Sequence, residues 1–318
     1  MAHEAEIHVV FGTGPLGMAV IRELHQQGIP VRVVNRSGLA DLPAGVEIRA
    51  ADAYHAEEAR NAAQGASVVY QCAQPAYHEW EAFFPSLQAS ILDAAAYHGA
   101  KFIAGENLYM YGEVDGKLRE DLPFRPTTRK GRVRAQMAEA VQEAHQTGKL
   151  RTAAARGADF YGPMVLSSTL GERVFFPLIQ GKSASLIGKL DQPHTYTYVS
   201  DFGKAMVTLG THDSALGQAW HVPSPPTLTQ RELVTLAAQL AGVNPRMSGT
   251  GRLVLFLAGL FSPGARETVE MLYEFERPFV MDDSKFRRVF GDIDTPHVQG
   301  LSTTLAWYQE HNRSVGRT

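Results

Sequence analysis

Cysteine is almost absent: the chain has 318 residues and one cysteine, Cys72. No intramolecular disulfide can form, so the fold must rest on burial alone and a reducing, cytoplasmic compartment is expected. An excess of charge of one sign is missing as well. Thirty basic side chains stand against 33 acidic ones, a net charge of -3 with the histidines neutral. That balance argues against wholesale binding of nucleic acid or of an anionic membrane. The N-terminal stretch Met1 to Glu6 carries acid where a signal peptide carries base. The longest apolar run, Leu253 to Phe261, is far short of the roughly 20 residues that span a bilayer. It reads as a core helix segment, the other reading being an amphipathic surface helix. The 12 histidines include no H-E-x-x-H and no close ligand pairing, so no metal is expected. No G-x-S-x-G nucleophile elbow occurs, and Gly181-Lys182-Ser183 has Phe176 where a phosphate loop needs glycine.

What is present is a rhythm. Short strands rich in β-branched or small residues, at Ile7 to Phe11, Val31 to Val34, Val46 to Arg49, Ser67 to Tyr70, Lys101 to Ala104 and Arg151 to Ala155, alternate with helical stretches. The helices fall near 15–28, 55–64, 78–98 and 128–146 and close at Gly28, Gly65, Gly99 and Gly148, where a left-handed C-cap favours glycine. Parallel strands with right-handed helical crossovers make a doubly wound α/β sheet. Residues 1–163 are therefore expected to form a Rossmann-like domain, with contributions from about 194–222. Residues 164–318 would form a smaller, discontinuous substrate lobe with helices near 169–180, 201–210, 229–241 and 264–276.

The sharpest local signal is Val9-Val10-Phe11-Gly12-Thr13-Gly14-Pro15-Leu16-Gly17, a G-x-G-x-x-G turn between a strand and a helix. Gly12 permits the tight turn, Gly14 lets the backbone approach a pyrophosphate, and Gly17 allows close packing. Pro15 and Leu16 open a helix whose free N–H groups face the anion. At the end of the second strand NAD-selective proteins carry an acid that binds the ribose hydroxyls, whereas this chain has Asn35-Arg36-Ser37. Asn35 removes the repulsion that a 2'-phosphate would meet, and Arg36 and Ser37 supply donors. NADP(H) is expected to be preferred and NAD(H) to be possible; the plainer reading of Arg36 is an exposed side chain on a surface loop. Asp52, after the third strand, can accept from the adenine amino group or cap a helix. Ala73, after the fourth strand, should pass beside the cofactor, while its neighbour Cys72 reads as a small apolar residue.

These residues resemble the extended short-chain dehydrogenase/reductases, the group that includes nucleotide-sugar epimerases and dehydratases. The resemblance runs through Leu108-Tyr109-Met110-Tyr111-Gly112 and Ala155-Arg156-Gly157-Ala158-Asp159-Phe160-Tyr161-Gly162-Pro163, with Phe160 counted among the cofactor-binding residues. It continues in Tyr198-Val199-Ser200-Asp201, Asp283-Ser284-Lys285 and Leu305-Ala306-Trp307-Tyr308. It implies catalysis by a Ser or Thr and a Tyr-x-x-x-Lys helix, but this chain has Asn107 at the first place and Lys130 and Arg134 at the others. The resemblance is thus to an atypical branch. At about 100 degrees per residue Lys130, Arg134, Met137, Val141 and Ala144 share one stripe, so two cations one turn apart are expected to be buried against something anionic or polar. The other reading has the first turn fray and both side chains reach solvent. Arg125, Arg129, Lys130, Arg132 and Arg134 also lie close in sequence, but without the interleaved aromatics of a nucleic-acid surface.

The expected function is an NADP(H)-dependent reductase or dehydrogenase of a small carbonyl or hydroxyl compound, acting as a monomer or homodimer. Asn107, Tyr109, Lys130 and Arg134 are the catalytic candidates. Crowding by Arg134 would let Lys130 give and take a proton in tyrosine's stead, with Asn107 bonding the substrate oxygen and Tyr109 in reserve. The rival readings are a dinucleotide-binding sensor without turnover, and an epimerase or dehydratase that keeps its cofactor.

Overall fold

The computed structural model describes residues 6–259 and 263–315. In chain order the strands are β1 Ile7–Phe11, β2 Val31–Asn35, β3 Glu47–Ala50, β4 Ala66–Gln71, β5 Lys101–Glu106, β6 Thr152–Arg156, β7 Asp159–Tyr161, β8 Ala184–Ile187, β9 Pro193–His194, β10 Tyr196–Tyr198, β11 Ala219–His221, β12 Leu228–Thr229 and β13 Met247–Thr250. The helices are α1 Pro15–Gln26, α2 Ala56–Ala62, α3 Trp80–Tyr97, α4 Arg129–Gln146, α5 Glu172–Ile179, α6 Val199–Thr211, α7 Gln230–Leu240, α8 Arg252–Gly259, α9 Pro263–Glu270, α10 Tyr273–Glu276, α11 Ser284–Phe290 and α12 His297–Val315.

Seven strands form one parallel sheet in the order β11-β6-β5-β4-β1-β2-β3. The order reverses between β1 and β4, the topological switch point of a doubly wound sheet, where a crevice opens beyond the strand ends. Both faces are covered, as the apolar runs of β1, β2 and β4 require. Trp80, Phe84 and Leu87 of α3, with Val133, Met137 and Val141 of α4, pack one face. Val20, Ile21 and Leu24 of α1, with Phe202, Met206 and Leu209 of α6, pack the other. The family-like Asp201 sits fully buried at the start of α6, where it accepts from the Thr295 backbone N–H at 2.6 Å and the Thr295 hydroxyl at 2.7 Å. It thereby ties the C-terminal segment to the sheet. A third cluster joins Val174 and Phe175 of α5, Leu233 and Ala237 of α7, and Leu301, Leu305 and Tyr308 of α12, forming the body of the C-terminal lobe.

The apolar run beginning at Leu253 is not a core helix. Over residues 252–257 of α8, whose side chains are described, only Leu255 is buried, seated on Ile187, Leu272 and Phe275, while Leu253, Val254, Phe256 and Leu257 are 51 to 71% exposed. The period explains the difference: a continuous apolar run fills every face of a helix, and one turn packed on its neighbours leaves the rest outward. Leu260 and Phe261, the end of that run, lie outside the described residues. Among the described residues no helix is long and apolar enough to cross a membrane.

Two buried histidines make the fold sensitive to acid. His8 in β1 lies 3.0 Å from the Tyr70 hydroxyl, and burial, with Lys101 adding, lowers its pKa to about 4. His221 in β11 is lowered to about 3, again by burial first. The unfolded chain protonates both near 6.5 and so binds more protons as the pH falls. Stability should be level above that value and should drop below it by about 1.4 kcal/mol per pH unit for each histidine. Urea unfolding midpoints between neutrality and mild acid check this. His8→Gln should flatten the slope, and an unchanged slope would remove His8 from the account.

Candidate functional site

The glycine turn closes between β1 and α1, and its three glycines do different things. Gly12 has a φ of +103°, and a Cβ there would lie 2.7 Å from the Ala73 backbone nitrogen. A Cβ on Gly17 would lie 2.0 Å from the Gly12 carbonyl oxygen. Both are glycines for internal reasons. Gly14 is not: its φ is -68° and nothing lies within 4 Å of the Cβ it lacks. Neither strain nor crowding calls for glycine at that position, which leaves the approach of something outside the chain. The α1 N-terminus points the same way. Gly14 is its N-cap with Pro15 next, no side chain caps it, and its first turn holds no acid, so backbone donors are free to receive an anion. These features fit a dinucleotide pyrophosphate.

At the end of β2 the Asn35 carboxamide shapes the loop, donating to the Thr13 hydroxyl at 3.1 Å and the Leu39 carbonyl at 2.9 Å and accepting from the Gly38 N–H at 2.7 Å. The Ser37 hydroxyl donates to the Leu39 carbonyl at 3.2 Å. Arg36 is exposed and forms no hydrogen bond or ion pair among the described residues, so its guanidinium is available. Asp52 does not cap α2, whose N-cap is His55. Its carboxylate instead accepts from the Tyr54 N–H at 3.1 Å, in a turn that precedes the helix. Ala73 abuts the glycine turn, and the adjacent Cys72 thiol is pushed up by burial, so it is no nucleophile. Phe160 stands edge-on to Phe202, with ring centroids 6.4 Å apart, and packs near Ala19 of α1.

The catalytic candidates gather around Tyr77 and Trp80. Tyr109 follows β5, its ring 6.1 Å from that of Trp80 and its phenol close enough to that of Tyr77 for the two to perturb each other. Burial pushes the Tyr109 phenol well above its ordinary range, and Tyr77, Glu274 and Asp159 push the same way. Asn107 accepts from the Tyr109 N–H at 3.3 Å. Gly131 brings α4 against this segment, since a Cβ there would lie 2.8 Å from the Tyr109 carbonyl oxygen. Lys130 and Arg134 are both buried, and only Lys130 pairs with an opposing charge. The Lys130 ammonium pairs with the Glu267 carboxylate, donates to the Tyr77 carbonyl at 2.8 Å and lies 4.1 Å from the centre of the Tyr77 ring. Arg134 donates to the Gly105 carbonyl at 3.2 Å and lies 5.0 Å from the Phe84 ring centre; it forms no ion pair among the described residues, and the neighbouring Glu106 pairs instead with Arg156 at 2.8 Å.

Several members of this site gave no signal in the sequence. Glu267 and Glu270 are contributed by α9, far along the chain, and Glu270 accepts from the Lys130 N–H at 3.2 Å. Asp159 accepts from His194 Nε2 at 2.8 Å, and His194 stacks flat on Phe275 at 4.7 Å. Glu274 is fully buried beside them, and burial, with Asp159 adding, lifts its carboxyl well above the usual carboxylate range. Tyr77 precedes α3, between the fourth strand and that helix. Nothing in its spacing marked it as the residue that Tyr109 and Lys130 share.

A doubly wound parallel sheet with an uncapped glycine-rich helix start at its switch point defines a dinucleotide-binding Rossmann protein. The model of the NAD dependent epimerase/dehydratase family matches residues 7–222, and the chain belongs to that family. No curated protein matches it in sequence. The UDP-glucose 4-epimerase of Thermus thermophilus, solved with NAD, superposes with a TM-score of 0.75 at 19% identity, covering 95% of this chain and 99% of its own. The UDP-glucuronic acid 4-epimerase of Bacillus cereus, solved with UDP-glucuronic acid and NAD, gives 0.77 at 16% identity, covering 96% and 99%. The dTDP-glucose 4,6-dehydratase of Bacillus anthracis, solved with NAD, gives 0.78 at 15% identity, covering 97% and 98%. At these identities the likeness concerns the fold.

Proposed function

We propose that this protein is an NADPH-dependent reductase of a small carbonyl compound, with Tyr109 as the proton donor. The observation that carries the reading is the half-buried Tyr109 phenol set against Trp80 beside Asn107, in a fold whose glycine turn is open at Gly14; burial holds that phenol above its ordinary range. Bound NADPH would supply a hydride. A phenol that keeps its proton is suited to protonating the alkoxide formed in a reduction and poorly suited to removing a proton from an alcohol. This favours the reductive direction over an epimerase or dehydratase cycle, which must first oxidise its substrate. Asn107 would hold the substrate oxygen, and Arg134 would orient polar groups without exchanging a proton. Lys130, committed to Glu267 and the Tyr77 carbonyl, would position Tyr77 and so the Tyr109 hydroxyl. The proposed cofactor contacts are Gly12, Gly14, Pro15, Leu16, Gly17, Asn35, Arg36, Ser37, Asp52, Ala73 and Phe160.

The preference for NADPH rests on the free guanidinium of Arg36 and on Asn35 in place of an acid. NADPH should bind at least about tenfold more tightly than NADH, or roughly 1.4 kcal/mol, and Arg36→Ala should erase the difference. Titration of both cofactors against both proteins decides it. Equal affinities in the unaltered protein would leave a dinucleotide site without the phosphate preference. Substrate-dependent loss of NADPH supports the reductase, whereas cofactor that survives dialysis and returns its hydride supports the epimerase type.

A further inference from the structure

Beside the α4 N-terminus lies a cavity of about 970 Å³ that the proposed cofactor and proton-transfer residues do not use. Its walls carry five cations, Arg129, Arg132, Lys189, Arg252 and Arg277, against three carboxylates, Glu113, Glu270 and Glu276. The carboxylates are spoken for. Glu270 accepts from the Lys130 N–H and pairs with Arg129 at 3.3 Å, Glu113 pairs with Arg277 at 2.9 Å, and Glu276 reaches Arg252 at 4.0 Å. Arg132 donates only to the Thr127 carbonyl, at 3.4 Å. Neither it nor Lys189 has an ion pair among the described residues, and both side chains are exposed. Two cations facing one cavity without counter-ions repel, and an anion between them relieves that repulsion.

Part of the remaining wall is apolar: Phe256, Val269 and Leu272 line the same space as Thr127, Thr128 and Tyr273. Phe256 is 57% exposed and belongs to the outward face of α8, together with Leu253, Val254 and Leu257. An exposed apolar face that runs into a cation-lined cavity is complementary to a molecule with a charged head and an apolar body. We propose that the cavity binds an amphiphilic anion, a phosphate or carboxylate head held by Arg132 and Lys189 with an apolar tail lying along Phe256 and α8. The site stands apart from the cofactor reading, since Arg132, Lys189 and Phe256 belong neither to the glycine turn nor to the Tyr109 cluster; the two meet at the wall residue Glu270, which accepts from the Lys130 N–H.

Decyl phosphate below its micellar concentration, titrated calorimetrically into the full-length protein with and without NADPH, tests the proposal. One equivalent should bind. Decanoate should bind at the same site, whereas inorganic phosphate and UDP should each bind at least about tenfold more weakly, the first lacking the tail and the second an apolar body. The Arg132→Ala, Lys189→Ala double variant should lose at least about tenfold in affinity for decyl phosphate, and Phe256→Ser at least about fivefold. All three positions are exposed, and circular dichroism should be unchanged. Undiminished binding in the double variant would overturn the head-group site. Binding of UDP or bare phosphate as tight as that of decyl phosphate would overturn the amphiphile.

Discussion

Gly14→Val is expected to abolish cofactor binding, by at least about a hundredfold, while leaving the fold and its thermal midpoint nearly unchanged. The prediction follows from the contrast among the three glycines of the turn. Valine at Gly12 or Gly17 would strike backbone at 2.7 Å or 2.0 Å and would damage the protein whatever it binds. At Gly14 the backbone is ordinary and the space beyond the missing Cβ is empty, so a branched side chain costs the free protein little. It would, however, stand where a pyrophosphate must approach the uncapped α1 N-terminus. Circular dichroism and fluorescence titration of NADPH on the same samples separate the two effects. An unfolded variant would mean that Gly14 serves packing, and a folded variant with unchanged affinity would remove the anion from this turn.

Tyr109→Phe should lower turnover on a reduced substrate by about 10² to 10⁴ fold, with cofactor affinity preserved. The change deletes one hydroxyl and keeps the ring against Trp80, so packing survives. Lys130→Met should act differently. It would take from Glu267 one of its two cations, Arg129 remaining at 3.2 Å, which costs about 1.5 to 3 kcal/mol of stability, and would reduce turnover less than the tyrosine change. Rate measurements with chemical denaturation on both variants discriminate the roles. Should Lys130→Met remain stable and abolish the chemical step while Tyr109→Phe stays active, the proton moves through the amine.

The first half of the fold was legible because its signals are local. Each strand is a short apolar run, and each crossover begins and ends with recognisable chemistry, so β1 to β6 fall within two residues of their expected bounds. The C-terminal lobe was read less well. Helix α12 buries Leu301, Thr304, Leu305 and Tyr308 at helical spacing, but a threonine in the stripe and polar residues around it obscured the pattern. The four-residue β8 and β13 pair with each other across a long stretch of chain, which no local pattern announces. The same distinction holds at the site. The glycine turn could be read from one stretch of sequence, and the buried stripe of α4 from its periodicity. The partner of that stripe could not, since Glu267 and Glu270 meet Lys130 only through the fold, and Asp159, His194 and Glu274 meet for the same reason.

The most direct test of the central claim is a single-turnover experiment: the protein is saturated with NADPH and challenged with a panel of small aldehydes and ketones while cofactor absorbance is followed. The account predicts saturable binding of NADPH and, with at least one carbonyl compound, stoichiometric loss of the reduced cofactor that Tyr109→Phe slows at least about a hundredfold. No binding of NADPH or NADH at any concentration, or substrate-dependent loss that Tyr109→Phe leaves untouched, would contradict it.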